Sequence, residues 1–248
     1  MTPQIPNYIQ ASHSQNNIVR YKWDDWNIER TEEPFDEVLY ERLIRIGMRA
    51  NVAFTIGTAE WIVYRYGLLI DDPLPANYLE AGWAQMIDWR YGAYYGWQDL
   101  TKEDEWRGPV RGPLGVTMSR VMYAIQQAEE SGGDPSLRAT WISSMAQYVI
   151  PFPDEYRSWR EPILGRLERI YARDPSDPKG EVVPREAMDP EYEFRIEQTE
   201  SLVNGFLAAL DYSRNPFLHS PERMLTEGFR GTPYIFDLEQ DRKMRLRP

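Results

Sequence analysis

The sequence predicts an all-α protein, an irregular bundle of six or seven helices with an N-terminal arm and an extended C-terminal tail. Three observations predict it. Apolar residues recur at helical spacing in most segments, for instance Leu114, Met118, Val121, Ile125 and Ala128, in steps of four, three, four and three. Proline and glycine fall where helices start and stop, as in Asp134-Pro135, Ser220-Pro221-Glu222 and Ser131-Gly132-Gly133. A chain of 248 residues with 42% hydrophobic content and no cysteine builds a large core without staples, burying roughly three quarters of its unfolded surface.

Residues 1–34 read as an arm. Pro3, Pro6 and the polar run SHSQNN oppose regular structure there. The segment Tyr21-Lys22-Trp23-Asp24-Asp25-Trp26 mixes rings and acids, suited to filling surface grooves or to docking a partner. Residues 35–173 read as the main bundle. A first long helix is expected from Phe35 to Tyr66, amphipathic early through Val38, Leu39, Leu43 and Ile46. From Ala50 to Tyr64 it is apolar nearly all round, as a central buried helix should be. Gly67 is its expected C-terminal cap. A second helix is expected over Asn77–Trp97, and 107–113, with two Gly-Pro pairs, as a loop. The third helix carries the Leu114–Ala128 stripe. The fourth starts at Asp134-Pro135 and shows Leu137, Trp141, Met145 and Tyr148. The fifth shows Tyr156, Trp159, Ile163, Leu167 and Ile170, bent or restarted at Pro162.

Residues 174–189 (DPSDPKGEVVPREAMD) are expected as a linker loop, and 190–248 as C-terminal helices and a tail packing on the bundle. A sixth helix is expected from Asp189-Pro190, with Glu191 and Glu193 favourably placed in its first turn. A short seventh opens at Ser220. The last stretch, from Gly231 to Leu238, reads as extended before a basic end holding Arg242, Lys243, Arg245 and Arg247. Ala59–Gly67 (AEWIVYRYG) and Ala84–Gly92 (AQMIDWRYG) share five of nine positions, a hint of a duplicated helix end.

Composition narrows function. Without cysteine there are no disulfides or thiolate metal sites. The first twenty residues lack the basic start and apolar core of a signal peptide, and no apolar run approaches the ~20 residues that span a bilayer, so the expectation is a cytoplasmic protein with no membrane partner. The net charge of −11 repels phosphate backbones, excluding generic nucleic-acid binding, and attracts basic partners.

Few residues carry candidate chemistry. The only histidines are His13 and His219, and no helix places Glu and His at di-iron spacing, so no metal or other cofactor is expected. Asp71 and Asp72, before a proline, suit a structural turn or a contact with a basic partner. Glu60 and Asp88 stand on apolar helices, where a carboxylate must be paired or become neutral. Such groups serve as internal salt bridges or as general acids and bases. There is no Gly-x-Ser-x-Gly elbow and no phosphate-binding glycine loop.

Arg214-Asn215-Pro216-Phe217-Leu218-His219 resembles the Arg-Asn-x-x-x-His motif of the helical HEPN ribonucleases. The resemblance covers these six residues. It implies that Arg214 would stabilise a phosphate and His219 would act in acid–base transfer at a 2′-hydroxyl.

The leading expectation is a non-enzymatic protein-binding protein that captures a basic partner, in the manner of a toxin-neutralising (immunity-type) inhibitor or an assembly adaptor. Aromatic anchors dominate such interfaces, and Trp83, Trp89, Tyr94, Tyr95 and Trp97 are the candidates, with Asp71 and Asp72 as acidic contacts. An aromatic cleft for a carbohydrate or hydrophobic ligand has the same composition.

Overall fold

The computed structural model describes residues 5–9, 19–67, 69–94, 96–130 and 132–245. Among these, nine α-helices form: α1 (Glu37–Leu43), α2 (Met48–Arg65), α3 (Leu74–Ile87), α4 (Gly108–Glu129), α5 (Pro135–Val149), α6 (Pro153–Ile170), α7 (Thr199–Ala209), α8 (Pro221–Thr226) and α9 (Leu238–Arg245). No strand occurs among them; three isolated bridges are the only β pairing. The architecture is the expected all-α bundle. Helix α2 runs through its middle, packed against α3, α4 and α5, while α1 and α6 lie on α5.

Every residue of α2 is buried. Phe54, Ile56 and Ile62 are completely enclosed, each stabilising the fold by about 2 kcal/mol relative to exposure. Most polar groups on this helix are paired, as burial demands, with Arg49 Nε and Asn51 Oδ1 as exceptions among the described residues. Asn51 Nδ2 donates to the Leu43 carbonyl at 3.0 Å, Thr55 to Asn51 O at 2.8 Å, and Arg65 Nε to Val149 O at 3.1 Å.

The single helix expected over 35–66 is two helices. Asp36 caps the first by accepting from Leu39 N at 3.0 Å. The chain then breaks at Gly47, which is extended (φ −60°, ψ 157°). The break lets a distant loop cap α2: Met48 N donates to Pro178 O and Arg49 N to Lys179 O, both at 3.0 Å. A Cβ on Gly47 would stand 3.4 Å from Gly180 Cα, so the loop lies in van der Waals contact with this position. The second expected helix stops at Ile87 instead of Trp97. Asp88 is extended, and its carboxylate accepts from Arg90 N at 2.9 Å, starting a 3-10 turn over Trp89–Tyr91. The two copies of the short repeat therefore end differently, one as α-helix and one as a 3-10 turn.

The stretch 107–113 is not a loop but the first turns of α4. Pro109 sits where a helix tolerates it. Pro113 has no N–H for the Pro109 carbonyl, and that carbonyl accepts from the Tyr21 hydroxyl instead. Helix α6 is continuous through Pro162. Asp134 and Ser220 cap α5 and α8, accepting from Ser136 N and Arg223 N.

The segment 174–189 is irregular but packs inward: Val182, Val183, Ala187 and Met188 are fully buried. Its carbonyls find donors on α6. Trp159 Nε1 donates to Met188 O at 2.8 Å, and Arg166 to Ala187 O and Asp189 O, each at 2.7 Å. The helix expected from Asp189-Pro190 starts later, at Thr199. The tail is irregular through 237 and then helical as α9, not extended to its end. Asp241 on α9 meets Arg49 in two bonds of 2.9 Å, closing the N-terminal end of α2.

Candidate functional site

Trp83 and Trp97, expected at a binding surface, belong to the core. Both are nearly enclosed. Trp83 Nε1 donates to Glu60 at 3.0 Å, and Trp97 Nε1 to Ser119 at 3.1 Å. Burial on α3 and against Trp106 keeps both rings from standing out as anchors. Trp89 and Tyr94 are different, with exposures of 43% and 39%. Tyr95 and His13 lie outside the described residues.

Trp89 and Tyr94 bound a cleft of about 380 Å³. Two chain segments build it. Residues 91–93 pair antiparallel with 217–219: Ala93 N donates to Phe217 O and His219 N to Tyr91 O, both at 2.9 Å. This pairing brings Tyr94 and His219 to one opening. Met122 and Ile125 from α4 supply an apolar wall, and Gln85 and Gln126 supply amides. Gly92 admits Gln85, since a Cβ there would stand 2.5 Å from the Gln85 amide. The His219 backbone is pinned from both sides, with its carbonyl accepting from Tyr234 OH at 2.5 Å. Its Nδ1 is 3.1 Å from the Arg90 carbonyl. A carbonyl only accepts, so Nδ1 carries the proton, and in the neutral ring Nε2 is left as an acceptor.

The rim is charged and paired. Glu129 meets Lys179 at 2.6 Å, and Arg223 meets Glu227. Burial lowers the Lys179 amine below its ordinary range, with Glu129 opposing. An apolar concavity with a few convergent polar groups is the usual form of a binding site.

The other expected site residues are placed apart from the cleft or serve the fold. Asp72 accepts from Leu74 N at 3.0 Å and pairs with Arg111 at 3.2 Å, fixing the turn into α3. Asp71 is exposed beside it. The Arg-Asn-x-x-x-His residues lie in turns between α7 and α8. Arg214 is exposed and pairs with Asp211, while Asn215 donates to Asn77 O and to Glu80, both at 2.9 Å. Each polar member of that motif thus has a structural partner.

Glu60 is 1% exposed. Its carboxylate accepts from Tyr8 OH, from Trp83 Nε1 and from Arg185 Nη2 at 2.5 Å. Burial raises the Tyr8 hydroxyl well above its ordinary range, with Glu60 adding to it, so the phenol stays protonated as a donor. For Arg185, burial works downward and Glu60, Tyr8 and Tyr64 more than offset it, keeping the guanidinium charged. The arrangement fastens α2, α3, the 174–189 segment and the arm around one neutralised charge. Asp88 pairs with Arg90 at 2.6 Å; burial pushes its carboxyl up, and the Arg90 backbone N–H and guanidinium oppose that.

Sequence reasoning missed Arg185 and the cleft's α4 wall. Arg185 lies in the segment 174–189 expected as a linker, though Val182-Val183-Pro184 is too apolar for a solvated loop. Among the described residues no group of three or more His, Cys, Asp or Glu is placed to hold a metal, and no helix is long and apolar enough to cross a membrane. Compared with profiles of known families, with curated proteins and with solved structures, the chain has no significant match.

Proposed function

We propose that the protein binds another protein, and that the cleft between Trp89 and Tyr94 receives an anchoring side chain of that partner. The observation that carries this reading is the pair of two-fifths-exposed rings flanking an apolar concavity. Tyr and Trp present large, stiff contact area, and interface hot spots concentrate in such pockets. The volume suits one bulky side chain, with Gln85, Gln126 and His219 able to satisfy a polar tip. The net charge of −11 speeds encounter with a basic partner and makes capture weaken with salt.

A toxin-neutralising inhibitor and an assembly adaptor are two forms of this reading. They differ in whether the captured partner loses an activity. The test compares tagged wild-type protein with a Trp89→Ala/Tyr94→Ala double variant in cross-linking and co-purification from the native host. A partner enriched by wild type should be lost from the double variant, and truncating two anchors of this kind should weaken binding by at least about 2 kcal/mol. Equal recovery of every partner by both proteins would remove the cleft from binding.

A further inference from the structure

We propose that a second surface, centred on Trp26, docks an arginine-rich segment of a partner protein. This does not rest on the Trp89 cleft. Trp26 is 86% exposed, the most exposed large hydrophobic residue among those described. Isolated exposed apolar residues are common; a rigidly presented indole over a concavity is not.

The turn that carries Trp26 is clamped. Its N–H donates to Asp24 Oδ1 at 3.0 Å. Next to it, Trp23 Nε1 donates to Asp25 at 2.6 Å, and Asp25 accepts from Gly108 N at 3.0 Å, at the first residue of α4. Trp23 is thereby packed down while Trp26 is held outward. Beside it lies a cleft of about 300 Å³ walled by Trp23, Trp97 and Trp106.

Charge points to the occupant. The chain segments that carry Trp26 and Arg107, residues 24–33 and 99–107, contain nine carboxylates against three cations; next to the ring are Asp24, which accepts from the Trp26 backbone N–H, and Asp104, which pairs with Arg107. That imbalance is more than half of the whole chain's net charge of −11. The chain also contains the contact a partner would make: the Arg107 guanidinium lies 5.3 Å from the Trp26 ring centre. At 86% exposure most of the indole stays open to a further guanidinium. Arginine fits better than lysine, because its planar group stacks on a ring while its N–H fork meets carboxylates.

The test is a titration of the full chain with an octaarginine peptide and, separately, with octalysine, followed by calorimetry at low salt. Octaarginine should bind wild type more tightly than octalysine does. Trp26→Leu keeps an apolar side chain but removes the ring, and its exposed position leaves the fold intact, as far-ultraviolet circular dichroism would verify. That variant should bind octaarginine about five-fold more weakly and octalysine with little change. Trp89→Ala/Tyr94→Ala should bind octaarginine like wild type, which separates this surface from the cleft. Unchanged octaarginine affinity in Trp26→Leu would overturn the proposal, leaving only diffuse charge. So would no binding by wild type, or equal affinity for the two peptides. Concentration-dependent dimerisation abolished by Trp26→Leu would assign the surface to a second copy of this chain instead.

Discussion

Arg49 and Glu60 stand near opposite ends of the same buried helix, and each is a charge removed from water. Around Glu60 the partners are Trp83 on α3 and Arg185 in the inward-packed segment, both held by the middle of the bundle. Around Arg49 the partners are the Ile87 carbonyl at the end of α3, at 2.7 Å, and Asp241 on α9, whose carboxylate also accepts from Arg245 at 2.9 Å, while Arg245 meets Asp177 as well. The chemistry of the two centres is alike; their mechanical situations are not. Rehydrating Glu60 means displacing Tyr8 of the arm and Arg185 of the inward-packed segment together with Trp83 of the bundle. Arg49 keeps its bond to the Ile87 carbonyl but exchanges its counter-charge for water when a short helix near the end of the described chain lifts away. Burial of a charge thus sets a global stability term in one place and a local docking term in the other.

The largest expected effect breaks the first centre. Glu60→Ala leaves Arg185 without its carboxylate, and loss of one member of a buried pair costs about 3–5 kcal/mol. In a chain of this size that lowers the midpoint of thermal unfolding by roughly 10 °C, still in one transition. Replacing both members, Glu60→Met with Arg185→Met, should recover at least half of the loss. A midpoint within about 1 °C of wild type for the single variant, by calorimetry, would mean that Glu60 is already hydrated.

Asp241→Ala should act differently. The variant loses α9 from its seat, so amide exchange over 238–245 quickens and trypsin cuts sooner after Arg242 and Lys243. The main transition shifts by no more than about 2 kcal/mol, because α2 itself stays packed. If Asp241→Ala matched Glu60→Ala in cooperative destabilisation with no selective exchange at the tail, the contrast between the centres would collapse.

The half-buried ion pair between α1 and α6 calibrates both. Arg42 reaches Glu168 through two bonds of 2.8 and 2.9 Å, with the two side chains 27% and 33% exposed. Hydrogen bonds from Arg42 hold the Glu168 carboxyl below its ordinary range. A depressed carboxyl stabilises the fold above the unfolded value of about 4.3 and loses that contribution as pH falls through the lower, folded value. Arg42→Ala should therefore cost about 0.5 kcal/mol at pH 7, and the difference from wild type should fade below about pH 4. Urea unfolding of both proteins at pH 7 and pH 3 measures it. A difference that grew on acidification would reverse the assigned sign.

What the sequence disclosed follows the range of the forces involved. Asp134-Pro135 and Ser220-Pro221 start helices in the structure because capping acts within three residues. The Leu114–Ala128 stripe is core because helical periodicity is local too. The break at Gly47 was illegible, since its cause is a loop some 130 residues away that caps α2. The first turns of α4 were misread as a loop for the same kind of reason: Tyr21, far upstream, satisfies the Pro109 carbonyl. At the surface, Trp83, Trp89, Tyr94 and Trp97 were indistinguishable as residue types. Only the end of α3 at Ile87 and the pairing of 91–93 with 217–219 decide that two of them face inward and two outward.

The 192-residue separation between Arg49 and Asp241, and the 125 residues between Glu60 and Arg185, have a consequence for biosynthesis. When the ribosome has finished the central helix, neither charge has its counter-ion. An emerging chain must keep that helix wet, or shielded by a chaperone, until the distal half is translated. Final dehydration of the middle of this protein is therefore a late step, set by long-range closure instead of by helix formation.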